Sequence, residues 1–391
     1  MAMININNVV NISVLSPAAG LAPYNVNNLV CFTKTDPGVT GPSGPLAAGF
    51  AVYSNYTDVE TDFGSGTDVA TAATAVFSQS PNIISGGGYF VVVPMLTDEV
   101  LEQAIVRAKG LIYYGGCAAT FTLGVTGPTG YTGATGANLE AFRAAAVAQT
   151  ERKMLFLASS AVGSLTTPGL AYTIQNQSLD KTRVLHDTVA ADLQKFIWGY
   201  AGRGMSTNFS ASNTASTMHL KTIKGLSSDT GLTQTILTAA KAVGADVYAN
   251  IAGQACVMSH GANEFFDDVY NLNWFVGALE VAGFNYLRTT GTKIPQTEAG
   301  MIGLKNAYAQ ICIQAANNGF LAPGTWTSPD TFGDPENFRS NISSFGYFVY
   351  SSPVATQPAV DRALRKAPVV QIAVKFSGAI HSTDVIVNIN K

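Results

Sequence analysis

Short, continuous apolar runs alternate with amphipathic helical patterns through the first two thirds of this chain, and that ordering admits few folds. Apolar runs at 89–93 and 154–158 have the length and content of buried strands, and 246–251 reads as a further strand. Helical periodicity is expected over 68–79, where Val69, Ala72, Ala73, Val76 and Phe77 share a face and Pro81 lies beyond the end. Further helices are expected at 98–107, 138–150, across most of 184–200, and at 232–243; short strands are expected at 50–56 and 111–114. Helices interleaved with buried strands give an α/β or α+β body. Two longer helical patterns come next. Residues 262–287 carry Phe265, Phe266, Val269, Leu272, Val276 and Leu279, and residues 297–318 carry Met301, Leu304, Tyr308 and Ile311 before a stop at Gly319. The last quarter returns to strand at 347–350, 369–376 and 385–389.

Both ends of the chain share one texture. The first charged side chain is Lys34; before it, Ile4, Ile6, Val10, Ile12 and Val14 alternate with Asn and Ser at the period of a strand. Pro17, Gly20 and Pro23 separate this stretch from the body of the chain. Val385, Val387 and Ile389 repeat the alternation at the far end. A short, uncharged strand has too little apolar mass to fold alone and is a liability as an exposed edge. Both segments are therefore expected to be arms that complete sheets in other subunits.

Composition agrees. Charged residues make up 12% of the 391, about half the usual share of a quarter. A subunit that buries much of its surface against copies of itself needs little surface charge. A net charge of −3 and the lack of a basic stripe argue against nucleic-acid binding. Cys31, Cys117, Cys256 and Cys312 are far apart, form no CxxC motif, and are expected to be free buried thiols. No uninterrupted apolar run reaches about 18 residues, so no membrane span is expected. The Asn-rich N-terminus without a basic region is not expected to be a secretory signal.

Chemistry-bearing motifs are sparse. His186, His219, His260 and His381 have no metal-ligand spacing, and no GxxxxGK[ST] loop or GxSxG elbow occurs. Gly86-Gly87-Gly88 precedes a strand and reads as a turn. Glu264, Asp267 and Asp268 cluster at the start of the first long helix; three carboxylates without a further ligand loop make a poor cation cage, so a structural or interfacial role is expected. No cofactor or metal is expected. Glycine recurs every third residue from Gly124 to Gly136, too briefly for a triple helix, and reads as an exposed loop. Arg362, Arg365 and Lys366 fall on a short expected helix between Pro358 and Pro368, as a solvated surface or a docking surface for an acidic neighbour.

A set of short motifs in fixed order carries a family resemblance. It comprises Asp267-Asp268, Asn273-Trp274, Lys293-Ile294-Pro295-Gln296-Thr297 with Gly300, and residues Asn318 to Gly324. It continues through Gly346-Tyr347-Phe348-Val349-Tyr350, Asp361-Arg362, Arg365-Lys366-Ala367-Pro368 and Gly378-Ala379-Ile380-His381. Upstream, Thr222 to Leu226, Ala249-Asn250, Tyr53, Val59, Asp62-Phe63-Gly64 and Phe77-Ser78-Gln79 add to it. In these the chain resembles the contractile tail sheath proteins of bacteriophages, in a short, diverged branch.

The resemblance implies a multi-domain body: an arm at 1–22, an α/β region at 23–260, a C-terminal sheath domain at 261–380 and a second arm at 381–391. It implies a non-enzymatic virion subunit, assembled in the host bacterial cytoplasm, that stacks as six-subunit rings around a tail tube and contracts to drive the tube through the host envelope. Its partners would be neighbouring sheath subunits, the tube protein, and baseplate and neck or terminator proteins. Neither nucleic acid nor membrane insertion is implied, and Arg362, Arg365, Lys366, Asp267 and Asp268 would be interface charges. The alternatives are a tail tube or capsid subunit, to which the two long helices are ill suited, and an enzyme using His260, Asp267 and Asp268, which would require those groups to converge in a closed pocket.

Overall fold

The computed structural model describes residues 24–34, 49–121, 139–261 and 264–385. Ile4, Ile6, Val10, Ile12, Val14, Val387, Ile389 and the Gly124–Gly136 triplets lie outside the described residues.

An eight-stranded mixed sheet organises the body. In chain order it begins with β1 (Leu29–Thr33), β2 (Ala51–Tyr53), α1 (Tyr56–Phe63), α2 (Asp68–Phe77), β3 (Phe90–Pro94), α3 (Leu101–Lys109) and β4 (Gly116–Ala119). It continues with α4 (Leu139–Glu151), β5 (Met154–Ser159), α5 (Leu170–Asn176), β6 (Thr182–His186), α6 (Leu193–Gly204), α7 (Gln234–Ala242), β7 (Asp246–Ile251) and β8 (Gln254–Met258). The strand order is β2-β3-β1-β4-β5-β6-β7-β8. The six inner strands run parallel, and an antiparallel strand closes each side.

Strands β1, β3, β4 and β5 are almost wholly apolar because both faces are covered. Leu29 and Cys31 of β1, with Met154, Phe156 and Ala158 of β5, enter a core under α1, α2 and α6. Val30, Phe32, Leu155 and Leu157 enter a second core under α3, α4, α5 and α7. At about 0.8 kcal/mol per buried methylene, these two layers supply the body's main stabilisation.

The C-terminal region adds α8 (Phe266–Thr289), α9 (Glu298–Asn318), α10 (Pro335–Phe345), β9 (Tyr347–Ser351), α11 (Ala359–Ala363) and β10 (Val370–Val374). It is not set apart from the body by a break in packing. Phe266 stacks on Tyr270 at 5.5 Å and meets Phe156 and Tyr200 at 5.9 and 5.5 Å, so the first turns of α8 plug the body core.

Four expectations need correction. Residues 111–114 form no strand: they turn out of α3, and the Tyr114 hydroxyl donates back to the Ile105 carbonyl at 3.0 Å. The strand there is β4, made of Gly, Cys and Ala. The expected helix over 184–200 is two elements, the buried strand β6 and then α6. The segment 50–56 holds a three-residue strand and then the start of α1, capped by Asn55. The basic helix is only the five residues of α11, which includes Arg362; Arg365 and Lys366 lie beyond it, Arg365 with φ of 56°.

Candidate assembly surface and the polar centre beneath it

The β9–β10 hairpin sheet is the feature most open to a partner. Its two strands pair antiparallel from Tyr347–Val374 to Ser351–Val370. Among the described residues no third strand joins either edge. One face is fixed by an aromatic cluster: Phe338 of α10 is fully buried and packs edge-on to Trp326, Phe332 and Phe348 at 5.0–5.5 Å. The other face, through Tyr347, Val349, Ile372 and Val374, rests on the large core that includes α8 and α9. Beside β10 runs a groove of about 540 Å³ lined by Val276, Leu279, Leu287, Leu304, Tyr308, Val370 and Ile372, with Arg365 at its side. Leu287 is 63% exposed and Val369 78%. Exposed apolar surface joined to unpaired strand edges is what an assembly contact requires.

The candidate charges sort differently. Arg362 and Arg365 are exposed and form no ion pair among the described residues, whereas Lys366 pairs with Asp361 at 3.4 Å. The turn that carries Lys366 is clamped by Gln296 and Gln357, whose side-chain amides both donate to its carbonyl. Asp267 and Asp268 are half-buried at the N-terminus of α8, where the helix dipole favours negative charge. Burial nevertheless raises both carboxyls, and the neighbouring charge of Asp267 helps push Asp268 up to about 6. Glu264 is exposed, with its backbone carbonyl bonded to Arg183. Val385 is 77% exposed.

Beneath this end of α8 lies a polar centre that the linear spacing of its residues conceals. Asp246, fully buried at the start of β7, accepts from the Tyr200 hydroxyl at 2.6 Å, the His260 N–H at 2.7 Å and the Ser259 hydroxyl at 3.2 Å. Arg183 of β6 donates to the carbonyls of His260 and Glu264. His219 and His381, far apart in sequence, stack at 4.4 Å and 17°. His260 therefore does meet a carboxylate, but that carboxylate is Asp246, and the ring bonds the Ala245 carbonyl. Asp267 turns instead to Thr217. These contacts tie β6, β7, β8 and α6 to the start of α8. Among the described residues no group of three or more His, Cys, Asp or Glu is placed to hold a metal ion. All four cysteines are free and buried, and no described helix is long and apolar enough to cross a membrane.

Residues 266–389 match the family model of the E217 tail sheath protein gp31-like C-terminal domain. The match begins where α8 begins, so it takes in α8, α9, the β9–β10 sheet and the C-terminal tail. Over this third of the chain the protein matches the phage tail sheath family, and the matched region holds the two-stranded sheet that no third strand joins among the described residues. A tail sheath domain gives the chain a structural role in a phage virion. No curated protein matches the sequence.

Proposed function

We propose that this protein is the subunit of a contractile, phage-type tail sheath, stacking as hexameric rings around a tail tube between baseplate and neck or terminator proteins. The observation that carries this reading is the two-stranded β9–β10 sheet, open at its edges inside the matched domain. The alternating segment 2–15 and the segment 385–390 fit such edges as added strands from neighbouring subunits. Strand addition supplies backbone hydrogen bonds and needs little side-chain charge, in keeping with the 12% charged composition. Because the added side chains alternate, those facing the helices would continue the apolar face of Val370 and Ile372.

In this reading no bond is made or broken. The extended sheath is a metastable lattice, and contraction repacks nearly rigid bodies into closer contact while the arms keep the mesh joined. Arg362 and Arg365 set register against acidic groups of a neighbouring subunit or the tube. Removing residues 1–16 tests the arms: the truncated protein should remain folded and soluble, with unchanged far-ultraviolet dichroism per ordered residue, yet form no tubes. Normal tubes from the truncated protein would refute the arm model.

A further inference from the structure

The C-terminal tail is attached to the body at very few points. Ser377 is anchored: its N–H donates to the Phe320 carbonyl at 2.9 Å and its hydroxyl to the Gly319 carbonyl at 2.6 Å. Gly378 comes next with φ of +64°, a conformation that frees the chain to turn away. From 378 to 385 every residue is exposed except His381. Ile380, directly before it, is 92% exposed.

His381 sits in a socket. Its ring stacks on His219, stands edge-on to Phe265 at 4.6 Å and 89°, and bonds the Thr217 hydroxyl through Nε2 at 3.0 Å. The socket is rigid: the Ser259 N–H donates to His219 Nδ1 at 3.2 Å, and the His219 N–H donates to Thr217 at 3.3 Å. His219 also bonds the backbone of His381. We propose that the His219–His381 stack is an acid-released pin that holds the C-terminal tail on its own subunit.

The chemistry of the pin comes from its bonds. His219 Nδ1 is occupied as an acceptor, so protonation there breaks the Ser259 N–H bond, while the His381 backbone bond to the same imidazole favours the charged ring and is outweighed by burial. A second charge on a ring stacked at 4.4 Å repels the first. The groups facing the pair are Asp246 from β7, His260 after β8, Asp267 from α8 and, beyond Asp267, Arg183 from β6. Asp246 favours a protonated His381, but its oxygens are engaged by Tyr200, Ser259 and His260. Burial lowers both imidazoles below their ordinary value of 6.5. Docking is therefore fully supported above pH 6.5 and weakens as the pH falls through the docked-state values. If the tail serves as an intersubunit arm, which rests on the function proposed above, the pin keeps it from pairing prematurely.

The test uses the full-length subunit at a concentration too low to assemble. A fluorophore on Ser382→Cys reports tail freedom by anisotropy; the four native cysteines are buried and stay unlabelled. The docked population should fall on the order of tenfold between about pH 7.5 and about pH 5, reversibly. His381→Ala should give low anisotropy at every pH. His381→Phe, which keeps an aromatic ring and loses the titrating group, should reduce the pH response. A parent curve flat over this range, or a transition unchanged in His381→Phe, overturns the pin. Because no polymer is present, this result stands apart from whether the truncated protein forms tubes.

Discussion

Asp246→Ala should loosen the joint between the body and the sheath domain, with a cost that can be worked from its contacts. The substitution removes a buried carboxylate that accepts two short bonds, from Tyr200 and the His260 N–H, and a longer one from Ser259. Bonds to a charged group contribute about 1.5–3 kcal/mol each, and a donor left buried without a partner costs about 1–3 kcal/mol. Breaking a buried charged cluster from one side typically costs about 3–5 kcal/mol. We expect about 4 kcal/mol from Asp246→Ala and about 2 kcal/mol from Tyr200→Phe, which leaves the other two donors in place. The double variant should cost at least about 1 kcal/mol less than the two together, because no orphan hydroxyl then remains in the core. Urea unfolding monitored by the emission of Trp198, Trp274 and Trp326 together measures the three variants. Additivity to within about 0.5 kcal/mol would mean that Tyr200 and Asp246 are not energetically joined.

Other outcomes rest on single positions. Asp187 is fully buried, and burial, with Asp229 and Asp192 nearby, raises its carboxyl to about 6 although the Val189 N–H opposes the shift. The charged form is thus penalised above about pH 6 and the penalty vanishes as the group protonates below it, so Asp187→Asn should raise the thermal midpoint at about pH 8 and leave it unchanged at about pH 4. Gly346 ends α10 with φ of 78°, and a Cβ there would lie 2.7 Å from the Ala322 carbonyl. Gly346→Ala should cost on the order of 2 kcal/mol or more by thermal unfolding and weaken assembly, since it displaces the entry to β9. Joint reversal of Arg362 and Arg365 to Glu should slow or misdirect assembly, measured by light scattering, with the thermal midpoint nearly unchanged; normal assembly at low salt would remove these residues from the interface.

Much of the body is legible in the sequence because burial on two faces leaves a continuous apolar run. Strands β3 and β5 are such runs, and α9 stops where Gly319 places its end. The central strand β1 is hidden because its five residues come after an uncharged, Asn-rich stretch without contrast. β4 is hidden for a different reason: Gly-Cys-Ala-Ala has no strand propensity, and it is a strand only because neighbours on both sides supply the ladder. Helix α10 carries its signals in full, with Asp334 as cap, Pro335 in the first turn and Gly346 at the end, but lies in a polar stretch. The polar centre cannot be read from the sequence at all. Tyr200, His219, Asp246 and His381 meet only through tertiary folding, and no local pattern pairs residues so far apart.

Negative-stain electron microscopy of the purified full-length protein shows whether this chain assembles with copies of itself. Tubes or stacked rings with sixfold symmetry are expected, and they should be lost on deletion of residues 1–16. Persistent, monodisperse monomers at concentrations where the intact protein should polymerise would contradict that expectation.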